Sequence, residues 1–185
     1  MNATKDLDHQ LAAVLFDLGD TLMIEETEIK TPDGTTVYAE LLPGAKKLLR
    51  HLKEQQLTVG MVTDSVPKTP INVLEQHDLF DFFETVMISD VIGSSKHEPY
   101  IFRATLAALG IPEEEMGRVM MVGNNLETDV AGANRLGMIS VYFGWNDRRR
   151  TEPISEDEKP DYTVSSLDEM LCLIETLDRG EEWPG

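Results

Sequence analysis

The chain has 185 residues, 41% of them hydrophobic, which lets one domain bury a full core without disulfides or a structural metal. Thirty-four Asp and Glu against sixteen Lys and Arg leave a formal charge of −18, which repels nucleic acid and anionic membrane surfaces at long range. No apolar run approaches a bilayer span and the opening MNATKDLDHQ is polar and acidic, so a soluble, cytoplasmic protein with no nucleic-acid or membrane partner is expected.

Apolar runs then alternate with helical patterns. AAVLFDL at 12–18 reads as a buried strand, and EETEIKTPDGTTVYAE at 25–40, with its Pro-Asp-Gly turn, as a hairpin too short to be a domain. A helix near 44–56 precedes a strand at 57–64; a helix near 70–78 precedes a strand at 84–90. A helix at 98–109, a strand at 118–124, a helix near 128–136, strands at 138–144 and 161–166 and a last helix from Leu167 complete the chain. Continuous rather than alternating apolar strands are covered on both faces, which predicts an α/β fold: a doubly wound, Rossmann-like parallel sheet with helices on both sides and the hairpin as a flap. One domain over 1–185 is expected. Cys172, in LDEMLCLIETLD, falls on helical apolar spacing and reads as a buried structural thiol. Arg148, Arg149 and Arg150, flanked by acidic residues, read as a solvated loop. His9, His51, His77 and His97 have no metal-ligand spacing.

In open parallel sheets the ligand sits beyond the C-terminal strand ends, where strand order reverses. Four predicted strands end there in polar residues: Asp17; Thr63 and Asp64; Asp90; Asn124 and Asn125. Each alone is an ordinary loop position. Four on one edge predict a site. In VLFDLGDTL a strand delivers Asp17 to its end and Gly19 permits an immediate turn; such a carboxylate is a competent nucleophile toward a phosphoryl group once a divalent cation offsets the charge.

Asp17 in this motif, Thr63 in GMVTDS, Lys96 in GSSKHEPYIF and Asp129 in VMMVGNNLETDVAGANRLGM together resemble the four motifs of the haloacid dehalogenase superfamily in order, interval and strand-end context. The resemblance runs from about residue 12 to about 178. It implies that Asp17 forms an aspartyl-phosphate, that the Thr63 hydroxyl donates to the transferring phosphoryl oxygens, and that Lys96 pairs with both the nucleophile and the phosphoryl group, with Asp64 beside them in the phosphate-binding loop. It also implies Mg²⁺, held by Asp17, the Gly19 carbonyl, Asn124 and Asp129. The partner implied is a small phosphorylated substrate or a phosphorylated macromolecule. Oligomeric state is not legible.

Two positions depart from the family pattern. Where most of its phosphatases carry a second aspartate two residues after the nucleophile, to move protons, this chain has Gly19; Asp20 is the alternative acid–base group. On that reading a carboxyl restored at position 19 would speed alkyl phosphate cleavage. Asn124 stands where an aspartate is usual, which lowers the charge offered to a cation. The leading expectation is a Mg²⁺-dependent phosphomonoesterase, and the main rival a catalytically weak or silent member that binds a phosphorylated ligand or a protein. Dehalogenase or phosphonatase chemistry would use the same aspartate but usually comes with a large cap domain. A phosphoacceptor receiver domain fits neither the length nor the Asn124–Asp129 stretch. Only a hairpin fits between Leu22 and Pro43, and only a helix and a strand between Ser65 and Lys96, so no large cap domain is expected.

Overall fold

Six short strands pair in parallel in the order β5-β4-β1-β6-β7-β8. They are β1 (Ala13–Phe16), β4 (Val59–Thr63), β5 (Thr85–Ile88), β6 (Val119–Gly123), β7 (Ile139–Phe143) and β8 (Tyr162–Val164). The computed structural model from which they are read describes residues 9–184, so most of the N-terminal stretch expected to carry no leader lies outside the described residues. Every residue of β1, β4 and β6 is buried, as expected for a sheet covered on both faces.

Alternation along each strand sorts the core into two layers. Val14 and Phe16, with Met61, Met120 and Val122, face α1 (Ala45–Glu54), α2 (Lys68–Gln76) and α6 (Leu167–Asp178). Ala13 and Leu15, with Val62, Val119 and Met121, face α4 (Pro99–Leu109) and α5 (Ala131–Asn134). Among the described residues no helix is long and apolar enough to cross a membrane.

After β1 the chain builds β4 and β5 to one side, then returns across the sheet to lay β6 on the other. The reversal leaves a crevice beyond the C-terminal end of β1, between β4 and β6. Register places the ends level: Phe16 pairs with Met61 and with Val122, and the Asp17 N–H donates to the Val122 carbonyl at 2.9 Å. The flap is an antiparallel hairpin of β2 (Ile29–Lys30) and β3 (Thr36–Tyr38), with a 3-10 turn, Glu25–Thr27, at its base. Among the described residues there is no large cap.

Three expectations need correcting. The strand before Asp90 stops at Ile88, and Asp90 lies exposed in the short helix α3 (Ser89–Ile92); Ser89 holds the strand end instead, its Oγ accepting from the Ser65 N–H at 3.1 Å. Cys172 is exposed. The buried stripe of α6 is Met170, Leu173 and Ile174, and a residue two positions from Met170 lies off it. The helix expected near 128–136 opens with a π-helical turn, Leu126–Val130, before the single α turn of α5.

Candidate active site

Asp17 follows β1, Thr63 closes β4 and Asn124 follows β6, and all three line one cavity of about 400 Å³ with Gly19, Asp64 and Lys96. The parallel pairing of β1 with β4 and β6 lays these strand ends level, so their polar residues share one edge of the sheet.

Lys96 arrives from the loop before α4 and is only 3% exposed. Its backbone N–H donates to Asp64 Oδ1 at 3.0 Å, while its Nζ lies 2.7 Å from Asp17 Oδ1 and 2.6 Å from Asp129 Oδ1. The loop is seated by Gly132 in α5, where a Cβ would come within 2.5 Å of the Lys96 carbonyl and 2.6 Å of the Phe102 ring. Glycine lets the helix approach that closely.

Asp129 reaches the same lysine because of the π-helical turn. The Asn125 side chain accepts from the Glu127 N–H at 3.0 Å, and Asp129 Oδ2 accepts from the Asn125 N–H at 3.0 Å. The carboxylate is thereby folded back over Gly123, into space a Cβ there would occupy. A widened turn of this kind re-aims a side chain that a regular helix would point elsewhere.

Two buried carboxylates thus share one ammonium. Burial by itself opposes the Lys96 charge, but Asp129, Asp17 and Asp64 outweigh it and hold its pKa above the ordinary lysine value. Burial pushes the Asp129 carboxyl up, to about 7, with Lys96 opposing and Asp17 adding to the rise. The cluster carries one more acid than it has cation to balance. Beside it both polar atoms of the Asn124 side chain are buried without a protein partner. Buried amides are seldom left so unless something else binds them. Asp17, Gly19, Asp64 and Asn124 line the cavity, whereas Asp129 is fully buried behind it with Oδ1 on Lys96 Nζ and Oδ2 on the Asn125 N–H.

Asp20, the alternative acid–base group, is fully buried and does not line the cavity. At φ +45° it builds a turn: Oδ1 accepts from the Glu25 N–H at 2.9 Å, Oδ2 faces Arg148 Nε at 2.8 Å, and its carbonyl accepts from Trp145 Nε1 at 2.6 Å. The arginine run is an exposed loop, as expected, but its side chains are ion-paired. Arg148 and Arg149 both pair with Glu25, Arg150 pairs with Glu158, and Arg149 and Glu25 line the cavity. His97 is exposed and outside the cavity lining.

Fold and cluster together define a class: a doubly wound α/β protein whose switch point holds a strand-end aspartate, a buried lysine and a second aspartate. The family is equally plain, since the model of the haloacid dehalogenase-like hydrolases matches residues 31–137, and the chain belongs to that family. It is 35% identical over 138 residues to a glyceraldehyde 3-phosphate phosphatase of Pyrococcus furiosus, covering 75% of this chain and 56% of that protein. It is 34% identical over 137 residues to a phosphoserine phosphatase of Thermus thermophilus, covering 74% and 52%. The chain spans about half the length of these relatives. Its fold matches a crystal structure of a HAD phosphatase from Thermococcus onnurineus with a TM-score of 0.72 at 22% identity, over 89% of this chain and 98% of that one.

Proposed function

We propose that the protein is a Mg²⁺-dependent phosphomonoesterase that works through an aspartyl-phosphate on Asp17. The observation that carries this reading is the grip of Lys96 on Asp17 Oδ1 at 2.7 Å, at a strand end inside a cavity sized for a small molecule. That contact occupies one carboxylate oxygen and leaves Oδ2 to attack phosphorus, while phosphorus–oxygen cleavage releases the alcohol. Of the three Lys96 protons, two face Asp17 and Asp129, and the third serves a phosphoryl oxygen. The Thr63 hydroxyl, at the end of β4, is a neutral donor for another. Asp64 holds the lysine loop in place through the Lys96 N–H.

Asp17, the Gly19 carbonyl and Asn124 would hold Mg²⁺, for which the excess acid and the unpartnered Asn124 amide are suited. When bound, the ion supplies positive charge between the nucleophile and the anionic phosphate. Asn124→Asp should bind Mg²⁺ roughly tenfold more tightly, because a second carboxylate replaces a neutral ligand. In thermal unfolding that variant is expected to start below wild type in the absence of Mg²⁺ and to gain more from its addition. Identical Mg²⁺ responses in the two proteins would place the ion elsewhere.

The reaction itself is tested by release of inorganic phosphate from a panel of small phosphorylated compounds in saturating Mg²⁺, with mass spectrometry of Asp17 during turnover. Turnover with a phosphorylated Asp17 is expected. Binding of those compounds with neither turnover nor a labelled Asp17 would favour a silent ligand-binding protein.

A further inference from the structure

Gly19 leaves no side chain beside the nucleophile, yet the space is not empty. A Cβ built at position 19 would overlap the Glu25 carboxylate oxygen Oε1 and lie 3.1 Å from both Glu25 Cδ and Cγ. The place that the first side-chain atom of a residue at position 19 would take is therefore held by the carboxylate of Glu25, which reaches back from the first residue of the 3-10 turn under the flap.

Glu25 is placed with care. Its N–H is fixed by Asp20 Oδ1 at 2.9 Å, and its turn is tied by the Thr27 hydroxyl donating to the Ile24 carbonyl at 2.7 Å. Arg149 Nη2 donates to Oε1 at 2.8 Å and Arg148 Nη2 to Oε2 at 3.3 Å. The side chain is 20% exposed and lines the same cavity as Asp17, Gly19 and Lys96. The short β2–β3 flap and the loop after β7 thus meet at one carboxylate in the cavity that Asp17 also lines.

We propose that Glu25 is the acid–base group of the reaction, its carboxylate delivered from the flap base into the space that a side chain at position 19 would take. This role rests on the phosphomonoesterase reading. In the first half-reaction an Asp17–phosphorus bond forms, the bond to the leaving oxygen breaks, and protonated Glu25 gives that oxygen its proton. In the second, water attacks phosphorus and gives a proton to the Glu25 carboxylate, the Asp17–phosphorus bond breaks, and inorganic phosphate leaves. Glu25 ends protonated, ready for the next leaving oxygen. Arg149 holds the carboxylate through Oε1, and with Lys30 of the flap and Lys96 it is one of the cations that line the cavity.

The test compares an alkyl phosphate with an activated aryl phosphate, in saturating Mg²⁺, for wild type, Glu25→Gln, Gly19→Asp and the double variant Glu25→Ala/Gly19→Asp. General acid–base help is worth on the order of 10²–10⁴-fold, so Glu25→Gln should lose about that much turnover on the alkyl ester. Aryl leaving groups depart without a proton. With the aryl ester, Glu25→Gln should therefore show a burst of phenol close to the wild-type rate, followed by a stall in which phosphorylated Asp17 accumulates. Gly19→Asp alone should lower alkyl turnover, because its Cβ collides with Glu25 Oε1 and displaces that carboxylate, which reverses the expectation drawn from the sequence. The double variant removes the obstruction and should recover most of the alkyl turnover. A purely structural Glu25 would instead lower the aryl burst and the alkyl turnover by the same factor, with no recovery in the double variant, and that result would overturn the proposal. Wild-type turnover that Glu25→Gln leaves unchanged would overturn this role alone. A wild type that forms no phosphorylated Asp17 would overturn the phosphomonoesterase reading and this role with it.

Discussion

Asp17→Asn is expected to abolish turnover, by at least about 10⁴-fold, because removing a nucleophile removes the covalent step and leaves only what binding and charge can do. The amide keeps the shape of the carboxylate but has no oxygen able to attack phosphorus. Stability should change little. Lys96 loses one ion pair but keeps Asp129 at 2.6 Å, and Asp129 is relieved of a neighbouring charge that pushes its carboxyl up. These effects oppose, so the thermal midpoint should move by only a few degrees, equivalent to about 1 kcal/mol. Single-turnover kinetics and thermal unfolding on the same preparation separate the two quantities. Retained turnover in a well-folded variant would mean that another residue attacks.

Lys96→Met is expected to behave in the opposite way, losing stability as well as activity. The side chain is buried, and so are both of its partners, so its removal leaves two buried carboxylates without the cation they share. Breaking a buried pair from one side typically costs roughly 3–5 kcal/mol. For a domain of this size that corresponds to a fall of about 6–20 °C in thermal midpoint. Lys96→Met/Asp129→Asn, which removes one acid along with the base, should recover most of that loss without recovering activity. A single variant as stable as wild type would show that water reaches the cluster and screens it.

The layers of the fold were legible because their causes are local. Strands that are apolar on both faces, such as VLFDL and RVMMVGN, require cover above and below, and a parallel sheet with helices on each side is what supplies it. Once those strands are parallel their ends lie on one edge, so Asp17, Thr63 and Asn124 had to meet. Boundaries were less secure. Asp90 fell two residues beyond the end of β5, where helix α3 had already begun, and LDEMLCLIETLD is apolar on enough sides that only packing against the sheet decided which stripe of α6 turned inward and left Cys172 outside.

By itself, then, the sequence determined the alternation of elements, the sheet type, the strand-end acids and the short flap, because each depends on periodicity or spacing within a few residues. Only the tertiary structure decided that Glu25 fills the space left at Gly19, that Arg148 and Arg149 hold it there, and that Asp20 is spent on the turn beneath it. Glu25 and Arg149 are 124 residues apart, and their pairing needs the flap base and the loop after β7 brought together at the switch point. No local pattern encodes a contact of that range: in the sequence each is one more charged residue in a polar segment, and the packing of the whole sheet is what sets them face to face.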